Sequence, residues 1–162
     1  MLRMKIRTYS AEPDFPAVKA CFIALQEFER ALDPRLPSGA AAADAYLEGL
    51  FRRCQRFAGQ VFVVEAADRV VGFVSVLGAC RSDSPDDPAT PFAYVDDLVV
   101  LPEHRGHGYG RALLARAEAY AAALGRTTLR LRVKGGNQPA RGFYAGAGYT
   151  EYEIELQKEI SR

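Results

Sequence analysis

Residues 94–124 read YVDDLVVLPEHRGHGYGRALLARAEAYAAAL, and the reading of this stretch decides the fold. Tyr94 to Leu101 is rich in Val and Leu, the composition of a buried strand. Pro102 stops that strand, because proline has no N–H to give to a ladder. Arg105 to Gly110 follows as R-G-H-G-Y-G, with glycines at alternate positions. From Arg111 to Leu124, Leu113, Leu114, Ala117, Ala121 and Leu124 share one helical face, and the many alanines favour helix. Gly125 stands where a left-handed C-terminal cap belongs. The stretch therefore predicts strand, tight loop and long helix.

A glycine-rich loop that opens a helix has a definite chemical use. The first N–H groups of a helix lack intrahelical partners, and the helix dipole adds roughly half a positive charge there. Glycines allow positive φ and close approach of a ligand to the backbone, so the arrangement suits phosphate. Two common phosphate motifs are excluded by spacing. A dinucleotide fingerprint G-x-G-x-x-G begun at Gly106 needs a glycine where Arg111 stands, and a Walker loop needs Lys-Ser/Thr where Arg111 and Ala112 stand. What remains is R-x-x-G-x-G, made by Arg105, Gly108 and Gly110, directly after V-x-x-L-V-V-x-P. This segment resembles the acetyl-CoA pyrophosphate-binding motif of the GNAT superfamily of N-acetyltransferases.

Length and composition set the outer bounds. The 162 residues suit one ordinary domain with a full core, and 49% hydrophobic residues is normal for a globular chain. Twenty-one basic and twenty acidic side chains leave a net charge of +1, so no overall field draws the chain to nucleic acid or an anionic membrane. Cys21, Cys54 and Cys80 lie far apart without C-x-x-C spacing, which suits neither a zinc site nor a disulfide framework. No apolar run approaches the ~18 residues of a membrane span. MLRMKIRTYS lacks the apolar core of a signal peptide, so a soluble cytoplasmic protein is expected.

Around the central stretch, residues 5–9 predict a short strand. A helix over 15–32 has Asp14 as its expected N-cap. Two prolines in Asp33–Gly39 forbid a helix there, and a second helix is expected over 40–54. Arg52, Arg53 and Arg56 near its end read as a solvated, dipole-favoured helix terminus. QVFVVEA (60–66) and VVGFVSVL (70–77) read as an antiparallel hairpin turning at 67–69, followed by a polar, proline-rich loop over 81–91. TTLRLRV (127–133) alternates as a strand, 139–145 reads as a short helix, and EYEIELQK (151–158) as a last strand.

This order matches the family's fold, and the resemblance covers nearly the whole chain, most strongly from Asp96 to Tyr149. It implies a single domain over 1–162 of the α/β class, with a GNAT-like acyl-CoA N-acyltransferase fold: a central mixed, mostly antiparallel sheet flanked by helices on both sides. It further implies acetyl transfer from acetyl-CoA to a primary amine of a small molecule or peptide, by direct attack in a ternary complex, with no metal. The cofactor carries the activated acyl group and the protein supplies placement and electrostatics.

The resemblance assigns the pyrophosphate to backbone N–H groups of Gly106, His107, Gly108, Tyr109, Gly110 and Arg111, with Arg105 opening the motif. His107 and Tyr109 read as loop surface or adenine-side contacts. Leu98, Val99 and Val100 match the strand that pairs with the pantetheine arm, and an N–H near Leu98 or Val99 would polarise the thioester carbonyl. Asp96 matches the family's frequent glutamate nine residues before the loop arginine, a candidate base. Asp97 beside it should face the other way by strand alternation, unless a bulge re-aims the pair. N-x-x-A-x-x-F-Y over 137–144 places Asn137 at the cofactor arm and Tyr144 as the acid for the departing thiolate. Glu27, Glu29, Asp33, Asp83, Asp86 and Asp87 would favour a cationic acceptor. The last strand could pair with a second chain, giving a homodimer. A non-catalytic CoA-binding sensor or partner module is the alternative reading. A nucleic-acid-binding module is disfavoured by the balanced charge.

Overall fold

The computed structural model describes residues 4–160; residues 1–3 and 161–162, the ends of the single domain expected over 1–162, lie outside them. The chain divides into two compact units, Met1–Arg132 and Val133–Arg162. The first unit runs β1 (Lys5–Thr8), α1 (Ala11–Leu32), α2 (Gly39–Arg56), β2 (Gln60–Ala66), β3 (Arg69–Cys80), β4 (Phe92–Val100), a 3-10 turn at Pro102–His104, α3 (Tyr109–Ala123) and β5 (Leu129–Leu131). The second unit contains α4 (Gln138–Gly146).

The strands form one sheet in the order β1-β2-β3-β4-β5. The first four are antiparallel neighbours, and β5 joins β4 in parallel, giving the expected mixed, mostly antiparallel sheet. The β2–β3 hairpin turns through Ala67 and Asp68, at φ 47° and 58°. Positive φ at both central residues matches the twist of a two-residue hairpin.

Side-chain alternation on β2 decides where the helices go. Val61 and Val63 join Phe73 and Val99 in a cluster with Val18 and Phe22 of α1 and Leu47 and Leu50 of α2. Phe62, between them, points to the other face. There its ring meets Tyr120 of α3 edge-on at 5.8 Å, with the Arg116 guanidinium 4.2 Å from its centroid. Helices α1 and α2 thus cover one face and α3 the other, as expected.

Helix α1 begins earlier than its sequence suggests. Its N-cap is Ser10, not Asp14, and Pro13 fits the first turn, where an N–H has no intrahelical partner anyway. Asp14 is instead a buried acceptor, 1% exposed. It takes the Ser10 N–H at 2.8 Å and the Arg7 guanidinium at 2.6 and 2.8 Å, while Arg7 also donates to Glu65 at 2.7 Å. The hydrogen bond from Arg7 holds the Asp14 carboxyl below its ordinary range, against the opposing effect of burial. This cluster ties β1, α1 and β2 together.

Two edges of the sheet differ from expectation. β5 is confined to Leu129–Leu131, and the segment 151–158, read as a strand from its alternation, is not one. A strand requires a ladder partner, and the second unit offers a helix but no other strand among the described residues. Its apolar members Ile154 and Leu156 are 71% and 88% exposed.

Replacing Asp14 by alanine leaves Arg7 facing Glu65 alone and should cost about 3 kcal/mol in urea denaturation at neutral pH. Because the folded-state pKa is depressed, this contribution is present above the unfolded value of ~3.9 and is lost as pH falls through the folded value. The gap between variant and parent should therefore close in acid.

Candidate active site

The glycine loop has the expected shape. Gly106 and Gly108 adopt φ 79° and 84°, and Gly108 is the N-cap of α3. Residues 105–108 are exposed, and a Cβ on either glycine would meet no atom within 4 Å. The glycines thus serve the left-handed backbone and leave open space above it. The helical ladder starts with the Ala112 N–H donating to the Gly108 carbonyl at 3.0 Å. The N–H groups of Tyr109, Gly110 and Arg111 therefore precede the ladder at the positive end of a 15-residue helix.

Side chains of the loop behave less simply. The Arg105 Nε donates to the Val100 carbonyl at 3.0 Å, and its guanidinium lies 5.8 Å from the Phe28 ring centroid. Arg105 thus braces the loop against the end of β4 and against α1. His107 is exposed, with Nδ1 2.8 Å from the Arg105 carbonyl. Tyr109, read from the sequence as loop surface or an adenine-side contact, is 6% exposed and packs at the root of α3, its ring 6.1 Å from that of His107. Its aromatic ring serves the core, and its backbone remains at the helix start.

Leu98, Val99 and Val100 lie on β4 beyond the β5 ladder. That ladder pairs Ala93, Tyr94 and Val95 with Leu129, Arg130 and Leu131, and it ends there. On the other edge the same β4 residues pair with Gly72, Phe73 and Val74 of β3. The parallel ladder has three residue pairs, so Leu98 to Val100 lie past its end, and Arg105 ties the glycine loop back to Val100.

Asp96 and Asp97 fall at an irregularity in β4. Ser75 pairs with Asp97 and Val76 with Val95, so Asp96 is the extra residue of a bulge. Strict alternation would send the two carboxylates to opposite faces; both instead bond side chains of α2. Asp96 accepts from the Arg53 Nε at 2.7 Å. Asp97 accepts from the Tyr46 hydroxyl at 2.9 Å, and the Ser75 hydroxyl lies 3.2 Å from its Oδ2. The Asp97 N–H in turn donates to Ser75 Oγ at 2.9 Å. Burial, reinforced by the Asp96 charge, pushes the Asp97 carboxyl up to about 7, against hydrogen bonds from Tyr46 and Ser75. Burial and the same two carboxylates push the Tyr46 phenol up as well.

Asn137 and Tyr144 belong to the second unit. Asn137 is the N-cap of α4, its Oδ1 accepting the Ala140 N–H at 3.1 Å. Tyr144 sits between two aromatic rings, 5.1 Å from Phe143 and 5.8 Å from Tyr149.

Residues 24–149 match the sequence model of the Acetyltransferase (GNAT) family. The chain belongs to the GNAT acetyltransferase family. The L-2,4-diaminobutyric acid acetyltransferase of Nocardia farcinica is 33% identical over 92 residues, covering 57% of this chain and 44% of the relative. The chain thus spans less than half the length of that curated relative. A GCN5-related N-acetyltransferase from Ralstonia eutropha superposes with a TM-score of 0.74 at 24% identity, over 98% of this chain and 99% of its own. The aminoglycoside N-acetyltransferase AAC(6')-Iy in complex with CoA superposes at 0.67 with 18% identity, over 99% and 96%. At these identities the structural likeness is one of fold.

Against this GNAT frame, three participants escaped the sequence reading. Arg53 was expected to be a solvated helix end, yet it pairs with Asp96, while Arg52 pairs with Glu48 at 2.7 Å. Tyr46 and Ser75 read as members of a helix stripe and a strand. Their signal in sequence is faint, although a hydroxyl within an otherwise apolar strand run, VVGFVSVL, marks a buried polar group in need of a partner. The acidic residues expected around an acceptor are largely engaged locally. Glu27 accepts the Gly39 N–H at 2.6 Å, Asp33 accepts from Arg35 at 2.8 Å, and Asp86 and Asp87 bond Ser84 and Ser82. Among the described residues no cluster of three or more His, Cys, Asp or Glu could hold a metal ion, and no helix is long and apolar enough to cross a membrane.

Gly108→Ala places a Cβ in the left-handed region without any clash. It should lower stability by about 1–2 kcal/mol through backbone strain alone, read from the denaturation midpoint at unchanged slope.

Proposed function

We propose that this protein transfers an acetyl group from acetyl-CoA to a primary amine of a small molecule or peptide. The observation that carries the reading is the loop: two left-handed glycines with open space at their Cβ positions stand at the start of α3, whose first N–H groups precede the helical ladder. Those donors suit the pyrophosphate of the donor, with Gly106 to Arg111 supplying backbone and Arg105 bracing them. Leu98 to Val100, past the end of the β5 ladder, are the proposed partners of the amide-rich arm, which can pair with strand backbone. The Leu98 or Val99 N–H would then stabilise the oxyanion at the thioester carbon.

The amine nitrogen attacks that carbon, a C–N bond forms, the C–S bond breaks, and the thiolate takes a proton. Tyr144 is the proposed donor, and Asn137, whose Oδ1 caps α4, has its amide N–H groups to offer the arm. A thiol pKa near ~8.5 makes the thiolate a fair leaving group, so the acid contributes toward the lower end of the ~10²–10⁴ range. Asp96 is proposed to hold Arg53 and to set the charge at the bulge. No protein nucleophile is needed in this direct route. Burial holds Cys21 up to about 12 and Cys54 up to about 11, both as thiols. The matched region runs through both compact units, which supports reading the chain as one domain. The Nocardia relative suggests diamines as first acceptors to try.

Acetyl-CoA at a hundred times its dissociation constant should raise stability by about 2.7 kcal/mol in thermal unfolding. Free CoA should do likewise and NAD should not; no shift at millimolar acetyl-CoA would leave the loop as a turn only.

Tyr144→Phe should lower kcat by about a hundredfold while the acetyl-CoA shift persists. A chain that binds CoA yet acetylates no amine would instead be a sensor or partner module.

A further inference from the structure

The bulge in β4 gives its two carboxylates unlike surroundings. Asp96 already has a cation against it, Arg53 at 2.7 Å. Asp97 is 7% exposed and is held by hydroxyl groups. Tyr46 Oη lies 2.9 Å from Oδ1 and 3.1 Å from Oδ2, and Ser75 Oγ lies 3.2 Å from Oδ2. Of these two hydroxyls, Ser75 is a closed end, fully buried at 0%. Tyr46 is half-buried, so of the two hydroxyl partners it is the one on a residue that reaches the surface. Its ring is fixed on both sides, stacked on Phe22 at 4.4 Å and covered by the Arg53 guanidinium at 5.3 Å.

We propose that Tyr46 and Asp97 together deprotonate the acceptor ammonium, Tyr46 touching the amine as the catalytic residue and Asp97 acting behind it as the positioning residue that stores the proton. The assignment rests on the acetyl-transfer reading above. An ammonium N–H bond breaks and its proton passes to Tyr46 Oη. The Tyr46 O–H bond breaks in concert and that proton passes to Asp97 Oδ1. The products are a neutral amine, an unchanged phenol and a carboxylic acid. The nitrogen keeps its electron pair for attack, and Asp97 returns its proton by the same path once product has left.

The groups facing Asp97 favour this division of labour. They are Tyr46, Arg53 and Cys54 from α2, Asp96 from β4 and Ser75 from β3. Burial and Asp96 lift the Asp97 carboxyl to about 7, while Tyr46, Ser75 and Arg53 oppose the shift. Against an amine near ~10.4, such a base is about a thousandfold better matched than a carboxylate of ordinary pKa ~3.9. Tyr46 is pushed upward, so it stays a neutral phenol before and after the transfer and conducts rather than stores.

The test has two readouts. In the first, carboxyl ¹³C NMR of the aspartate-labelled protein, with Asp97→Asn for assignment, should show Asp97 titrating near neutrality. A titration in the ordinary carboxylate range overturns the proposal, whatever the activity. In the second, kcat/KM with acetyl-CoA and L-2,4-diaminobutyrate as the probe acceptor is followed against pH. The parent rate should rise through a limb near pH 7. Tyr46→Phe keeps both ring contacts and should lower kcat/KM by about a hundredfold and abolish that limb, with the acetyl-CoA thermal shift intact. Asp96→Asn should keep the limb but move it to lower pH, because a charge that raises Asp97 is gone. A Tyr46→Phe profile parallel to the parent's would make the contact merely structural and overturn the proposal. Absence of turnover in the parent, with Asp97 still titrating near neutrality, would count against the acceptor class of the wider reading and not against the proton store.

Discussion

A single extra residue in β4 decides which side chains its two neighbouring aspartates meet. In a regular strand, neighbouring side chains leave on opposite faces, and two consecutive aspartates could never serve one site. The bulge at Asp96 breaks that rule, and α2 answers both carboxylates, one with a guanidinium and one with a phenol. The pairing separates their properties. Asp96 is paired with Arg53, and its charge adds to burial in lifting the Asp97 carboxyl toward neutrality. Two identical side chains next to one another thereby become a structural ion pair and a titrating group.

The rest of the first unit holds that bulge in place. The β2–β3 hairpin supplies Ser75 from the strand next to β4, and α2 is seated on the sheet by Leu47 and Leu50. β5 enters in parallel and stays paired for three positions only, so the bulge lies just where β4 leaves its neighbour. The glycine loop follows five residues after the end of β4, anchored back to it by Arg105. The bulge at Asp96, the end of β4 at Val100 and the start of α3 at Tyr109 thus lie close together along the chain.

What could be read from the sequence was what local chemistry determines. The hairpin, the strand–loop–helix centre and the glycine positions follow from alternation, proline and left-handed backbone, all effects of a few neighbouring residues. The contacts that were not read depend on distant partners. Tyr46 meets Asp97 across 51 positions of chain, Arg53 meets Asp96 across 43, and Ser75 meets Asp97 across 22. No periodicity carries such information. The same limit explains Asp14, which looked like a cap until Arg7 supplied it with a buried partner, and Tyr109, whose ring turns inward where a loop side chain was expected. Segment 151–158 alternates as a strand should, but alternation cannot supply a neighbour to pair with.

The state of the cysteines has a bearing beyond the site. A thiol of ordinary pKa near ~8.5 is a few per cent thiolate at neutral pH, enough for peroxides and alkylating agents to find it. Burial lifts Cys21 to about 12 and Cys54 to about 11, and it lifts Cys80 as well. At pH 7 a group at 11 is ionised in roughly one molecule in ten thousand. Burial thus leaves Cys21 and Cys54 with little thiolate for an oxidant or alkylating agent to attack, and it moves Cys80 in the same direction.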